Sequence, residues 1–343
     1  MKKSTCVIFL LIALCCWNFN AARAQDFRST SKVGTTAAQF LKISAGARAV
    51  GLGGAYTALA DDINTIFWNP AGLARIGGSG EATFNHAQWL ADIQYDFAAF
   101  SLNTGLGSFG AHVISLRTPE EKVRTLASPF GTGQVWDAAS FAIGVSFARR
   151  LTDRFAIGMT GKYIQESLFN EAARGAAFDL GVFYQTPYEK LSLGAAITNF
   201  GSKLRLDGRD VFFNDDPLPE EGSVDQVPSK FRLESYEIPL TLRFGVAWEV
   251  MNSENMKIVA AADGSHPNDN TEFINSGVEV GLRKMLFLRG GYKALFQDNS
   301  EQGLTLGAGL RYDAVGTNIK LDYGWADFGR LETVQFVSFS IRY

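Results

Sequence analysis

The chain has 343 residues, 46% hydrophobic and 13% aromatic, with 35 glycines and a formal net charge of −3. An acidic balance argues against a nucleic-acid partner, which would need a basic face. Cys6, Cys15 and Cys16 are the three cysteines and all fall within residues 1–24, so the remainder has no disulfide, thiolate or cysteine-metal chemistry.

Residues 1–24 read as a secretory signal peptide. Lys2 and Lys3 supply the basic start, residues 7–17 the apolar run, and Ala22-Arg23-Ala24 a cleavage site before Gln25. That run is too short to cross a bilayer as a helix. Leu14, where a small residue should precede Cys15, argues against a lipoprotein signal. The leader carries three of the 32 basic residues and none of the 35 acidic ones, so the chain from Gln25 onward is more acidic still. No later stretch approaches a transmembrane helix. A membrane location therefore requires a closed barrel, because open sheet edges go unsatisfied in lipid.

Residues 25–80 read as a small, Gly-rich plug ahead of the first strand. Gly51, Gly53 and Gly54 permit positive φ or close approach to another backbone. Asp61 or Asp62 is placed to N-cap a short helix through Ile66 and Phe67. Asn69-Pro70 ends that helix. Asn69 then serves as N-cap and Pro70 as first residue of a second turn, followed by Ala71 and Gly72.

The pieces Ala38-Gln39-Phe40-Leu41-Lys42-Ile43, Gly46-Ala47-Arg48-Ala49-Val50-Gly51-Leu52-Gly53-Gly54-Ala55, Ala60-Asp61-Asp62 and Trp68-Asn69-Pro70-Ala71-Gly72-Leu73-Ala74 closely resemble the N-terminal signature of the PorV/PorQ family. The motif covers residues 34–76, and the strand pattern extends the likeness through Tyr343. The resemblance implies an outer-membrane β-barrel of the type IX secretion system, similar in fold to the FadL channels for hydrophobic compounds, which share the Asn-Pro-Ala hatch.

From Glu81 onward the hydrophobic period is two. Phe141, Ile143, Val145 and Phe147 alternate with Ala142, Gly144 and Ser146. Over 238–250, Ile238, Leu240, Leu242, Phe244, Val246, Trp248 and Val250 alternate with small, polar or charged residues. This is the pattern of a transmembrane barrel with lipid outside and a polar lumen inside. The expected fold is all-β: an antiparallel barrel over 81–343, with a helical plug. Its fourteen strands lie near 81–90, 93–102, 107–116, 138–149, 154–165, 176–186, 191–200, 237–250, 257–263, 273–282, 286–295, 303–312, 318–325 and 333–343. Tight connections at 103–105, 150–153, 186–190, 251–255, 283–284 and 313–317 alternate with longer polar ones at 117–137, 166–175, 201–236, 264–272, 296–302 and 326–332. Periplasmic turns and outer loops sort in this way. Val337, Phe339, Ile341 and Tyr343, at alternate positions with a terminal aromatic, resemble the signal read by the outer-membrane barrel-assembly machinery.

Candidate chemistry is thin. Gly51-x-Gly53-Gly54 does not follow a strand in a βαβ unit and is no nucleotide loop. Asp61-Asp62 lacks the further oxygen donors of a Ca²⁺ site. Capping and contact with lumen cations such as Arg243, Arg289 and Arg311 suit the pair better. His86, His112 and His266 lack metal-ligand spacing; His266 is placed in a loop. Ser29-x-x-Lys32 lacks its companion motifs. No enzyme activity, cofactor or metal is expected. The acidic, Pro-rich run in loop 201–236, with Asp215, Asp216, Pro217 and Pro219, is a candidate docking surface. Three functions remain: a secretion component that binds cargo signal domains or other secretion proteins from its place in outer-membrane lipid, a channel for hydrophobic small molecules, and a structural outer-membrane protein with no transport role. A lumen face of Gly, Ser, Thr, Ala and Arg disfavours the channel.

Overall fold

The computed structural model describes residues 32–59, 61–188, 190–216, 227–297, 300–314 and 316–343. The leader, Ser29, Ala60, Pro217 and Pro219 lie outside the described residues.

Alternation of apolar and polar residues makes each strand two-faced, and burying one face fixes its register. Among the described residues, fourteen long strands result: β1 Gly80–Gln88, β2 Gln94–Thr104, β3 Gly107–Arg117, β4 Ala138–Arg150, β5 Phe155–Leu168, β6 Glu171–Gln185 and β7 Leu191–Gly201. The second half comprises β8 Thr241–Asn252, β9 Met256–Pro267, β10 Phe273–Leu282, β11 Leu286–Leu295, β12 Leu304–Ala314, β13 Thr317–Asp327 and β14 Thr333–Arg342. Each pairs antiparallel with its chain neighbours, and β14 returns to β1 with Phe339 opposite Phe84. The sheet is therefore a closed cylinder without an edge, the form that leaves no backbone group unpaired in hydrocarbon.

Side chains sort as the alternation requires. On β8, Phe244, Val246, Trp248 and Val250 point out and are exposed, while Thr241 and Ala247 are buried toward the lumen. Val246 lies inside that greasy row, flanked by Phe244 and Trp248. Val246→Arg is expected to destabilise the barrel by about 2–4 kcal/mol in lipid. Urea unfolding in vesicles checks this, and a neutral effect would mean that the row does not face hydrocarbon.

The connections separate by end. On one end they are short: 105–106, 151–154, 186–190, 253–255, 283–285 and 315–316. On the other lie 118–137, 202–240, 268–272, 296–303 and 328–332, together with two short ones, 89–93 and 169–170. Three expectations are corrected here. The polar stretch 166–175 is not a loop: β5 and β6 run through it and turn at 169–170. Above the greasy band neither face must be apolar, so the strand outlives its hydrophobic signature. The Ala-rich strand at 257–263 is a full twelve-residue strand, β9, and it includes His266. Ile238 precedes β8 and is buried rather than facing out.

Inside the cylinder lie two one-turn helices, α1 (Ala47–Gly51) and α2 (Thr65–Trp68), and 3₁₀ turns at Gln39–Lys42 and Pro70–Arg75. These elements and the links between them carry much of the buried core, including Leu52, Tyr56, Ile63, Ile66 and Leu73.

Candidate functional site

The plug backbone is pressed against the wall where the strands present glycine. A Cβ on Gly277 of β10 would collide with Leu52, whose Cα lies 2.7 Å away. Gly291 meets the Leu52–Gly53 link, Gly307 meets Gly51, and Gly324 meets Ala47. Gly53 and Gly54 take φ of +68° and +81°, a region that costs a side chain about 1–2 kcal/mol. The turn thus passes within contact of the backbone of Ser276 and Tyr292.

Asn69 is fully buried and uses both ends of its amide. Its Oδ1 accepts the Ala71 N–H at 3.1 Å, the cap of the Pro70–Arg75 turn. Its Nδ2 donates to the carbonyls of Thr57 and Val182, each at 2.9 Å. One side chain therefore ties two parts of the plug to β6. Ala71 and Pro70 rest on Gly158 of β5. Trp68 donates its indole N–H to the Ala45 carbonyl at 3.0 Å, and Gly72 donates its N–H to the Asn69 carbonyl.

A lattice of buried charge locks the plug, and its centre is a residue that sequence reasoning missed. Arg48 of α1 donates through Nε and a terminal nitrogen to the two oxygens of Glu279 on β10, both at 2.8 Å. It also reaches Asp61 at 2.6 Å and Asp62 at 3.0 Å. Tyr56 donates its hydroxyl to Asp62 at 2.5 Å. Glu279 is shared with Arg289 at 2.6 Å, and Arg289 pairs with Asp322 at 2.7 Å. Beside this chain, Glu81 takes Lys320 at 2.8 Å and Arg342 at 2.7 Å. Asp61 and Asp62 therefore do not cap α2. Asn64 holds the N-cap position without a side-chain bond of its own; Asp62 gives Oδ2 to Arg48 and Tyr56, and its Oδ1 accepts the Asn64 N–H at 3.0 Å, just ahead of the helix. Their partner is a plug cation and not Arg243, Arg289 or Arg311. Arg243 lies over the Trp68 ring and Arg311 over the Phe287 ring. The lumen face also carries Tyr95, Phe97, Phe183 and Phe336, all buried, so it is less uniformly small and polar than expected. His112 is buried against Phe97, whereas His86 faces out to Asp96. Two voids at this level hold about 10 Å³ each, room for one water at most.

At the long-loop end the plug's first residues are clasped from three sides. Asp269, in the β9–β10 connection, accepts from Thr36 at 2.8 Å, from Gln39 at 2.9 Å and from Lys42 at 2.9 Å. The Ala37 N–H donates to the Glu237 carbonyl and the Ala38 N–H to Glu166, at 2.8 and 2.9 Å. Burial pushes the Asp269 carboxyl up, but hydrogen bonds from Gln39, Lys42 and Thr36 and the Lys42 charge outweigh it, so it is held below its ordinary range. A depressed folded pKa gives stability that is full above the unfolded value, about 4, and is lost as pH falls through the folded one. Protection of the amides over 36–42, taken as exchange relative to the intrinsic rate at each pH, is expected to fall only below the ordinary Asp range. In Asp269→Asn the protection should already be low at neutral pH and should not change further with acid. Slow exchange in that variant would discount the clasp.

Over the plug stand the outer loops. Segment 118–137 folds back as a ribbon, Glu121–Lys122 against Val135–Trp136, and exposes Leu126 and Phe130 at its tip. Segment 202–240 carries a second ribbon, Phe212–Asp215 against Val227–Lys230, on which Asp215 is exposed. Between the clasp, the β5–β6 hairpin and this loop lies an apolar cavity of about 500 Å³, lined by Ala37, Leu168, Leu204, Leu206, Leu233 and Tyr236. On β14, Val337 and Phe339 are exposed on the outer face, with Ile341 half-buried beside them, and Tyr343, just past the strand, is exposed as well.

A family model described as "Type IX secretion system protein PorV" matches residues 26–263. Among solved structures, the chain is similar to the toluene transporter TodX of Pseudomonas putida, at 13% identity over 86% of this chain and 96% of that one, with a TM-score of 0.54. It is likewise similar to the toluene transporter TbuX of Ralstonia pickettii, at 15% identity over 86% and 96%, with a TM-score of 0.52. At such identities the likeness is one of fold. No curated protein matches the chain.

Proposed function

This chain belongs to the PorV family of type IX secretion system proteins, and we propose that it serves secretion as an anchor and not as a conduit. The observation that carries this reading is the plug seated inside the barrel, on wall glycines and fastened by Arg48, Glu279, Arg289 and Asp322. It leaves a cavity of about 240 Å³ between Asp61, Arg75 and Phe183 at the short-turn end but voids of only about 10 Å³ at the level of the ion pairs, which supports a barrel closed to passage. Function then falls to the outer loops. Their exposed apolar tip at Leu126 and Phe130 and the acidic loop at Asp215 and Asp216 bind a cargo signal domain or another secretion component. No catalytic step is assigned to any residue. The protein works in the outer membrane, which it reaches after removal of residues 1–24. The outward row on β14 presents it to the barrel-assembly machinery.

Deleting the gene is expected to leave cargo with C-terminal signal domains in the periplasm. Complementation by Leu126→Asp/Phe130→Asp should fail to restore secretion although the barrel folds. Normal secretion in the deletion strain would overturn the reading.

A second reading, uptake of hydrophobic small molecules, is favoured by the apolar cavity beside Ala37. Under it the deletion strain secretes normally and grows poorly on long-chain fatty acids.

A further inference from the structure

The β5–β6 hairpin climbs past the greasy band, and its outer face changes chemistry on the way. On β6 the outward residues Tyr184, Val182, Leu180 and Phe178 are exposed and apolar, with Phe200 of β7 opposite Phe178. Ala176 and then Arg174 follow on the same face. From Tyr184 to Arg174 is about ten residues, which at about 3.3 Å each and a tilt of about 40° rise about 25 Å. That equals the height of the apolar band of such barrels. Arg174 therefore sits level with the headgroups of the outer leaflet.

Beside it runs segment 203–209, tied to β6 by the pairing of Asp207 and Gly208 with Ala172 and Glu171. Its alternation divides two environments. Leu204 and Leu206 line the apolar cavity. Lys203, Arg205 and Arg209 join Arg174, Asp207 and Phe212 around an open cleft of about 880 Å³. Asp207 is neutralised by Lys230 at 2.7 Å. Among the described residues, Arg174 and Arg205 have no carboxylate within ion-pair distance. The cleft is thus cationic, planar guanidinium groups dominate it, and it opens where the hydrocarbon ends.

We propose that this cleft binds the phosphate groups of phosphorylated lipid headgroups in the outer leaflet, with Arg174 and Arg205 as the principal cations. Guanidinium groups suit phosphate because two parallel N–H donors match its oxygens. The exposed Phe178 and Phe200 below the cleft receive the acyl chains of the same lipid, which a free phosphate lacks. The proposal stands independently of the secretion reading.

The test uses the full chain in phosphatidylcholine nanodiscs doped with diphosphoryl lipid A, with retained lipid read by native mass spectrometry. Wild type is expected to retain diphosphoryl lipid A and to release its dephosphorylated form. Arg174→Gln/Arg205→Gln should retain about thirty-fold less, since each of the two cations near a charged surface counts for about 1 kcal/mol. Arg174→Lys/Arg205→Lys keeps the charge but not the two-donor fork and should fall between wild type and the glutamine variant, and a heat-modifiability gel confirms that each variant is folded. Equal retention by the glutamine variant, equal retention of the dephosphorylated lipid by wild type, or displacement by equimolar inorganic phosphate would each overturn the proposal. The wild-type comparison needs no variant to fold.

Discussion

Arg48→Ala is expected to open the barrel to ions and to lower its stability by about 3–5 kcal/mol, the usual loss when one partner of a buried ion pair is removed. The size follows from what the substitution strands. Arg48 is buried, satisfies both oxygens of Glu279 and also contacts Asp61 and Asp62. Asp61 is half exposed and can turn to water; Glu279 and Asp62 cannot, at 5% and 3% side-chain exposure. Glu279 keeps Arg289 and Asp62 keeps the Tyr56 hydroxyl, but each loses a buried cation, so the pair must draw water into the plug or push it away from the wall. Two measurements check this. Conductance across a planar bilayer should rise from near zero, and urea unfolding should shift to lower concentration. Glu279→Gln added to Arg48→Ala should recover part of the loss, because it removes one of the stranded charges. A variant that stays closed and as stable as wild type would show that the lattice does not hold the plug.

The barrel was legible in the sequence because its signal is local. Residues two apart face one solvent, so Phe244, Val246 and Trp248 declare an outer wall without reference to any other strand. The turn at Asn69-Pro70 is local in the same way: a cap and a fixed φ adjoin, and Asn69 does accept the Ala71 N–H. The lattice was not legible because its members are far apart. Arg48 and Glu279 are separated by 231 positions, and no periodicity pairs them. A usable hint existed, since Arg48 is the lone cation in an apolar, small-residue run and Glu279, Asp322 and Asp263 fall at inward strand positions. Glu166–Gly175 was missed for a different reason. Amphipathic contrast marks a strand only while it crosses hydrocarbon, and β5 and β6 continue above it. The inward aromatics mislead similarly: Phe183 lies under the Arg75 guanidinium at 4.2 Å, a plug contact that a strand pattern cannot reveal.

Gly277→Val is expected to destabilise the protein and loosen the plug, although the same change in an unobstructed strand should stabilise it. Valine suits a pleated strand better than glycine by up to about 1 kcal/mol. At Gly277 that gain is overridden, because the new Cβ would overlap the Leu52 carbonyl, with the Leu52 Cα at 2.7 Å. The obstacle is plug backbone, which cannot rotate aside as a side chain can. Overpacking of this kind costs about 1–3 kcal/mol. Gly264 supplies the control: it lies on β9, and a Cβ there meets nothing within 4 Å. Gly264→Val should be neutral or stabilising. The pair therefore separates strand propensity from plug contact by sign. Hydrogen exchange over 47–55 should rise in Gly277→Val and remain unchanged in Gly264→Val. If both variants gain stability and both plugs stay protected, the wall and the plug do not meet at Leu52, and the glycines along the lumen need another explanation.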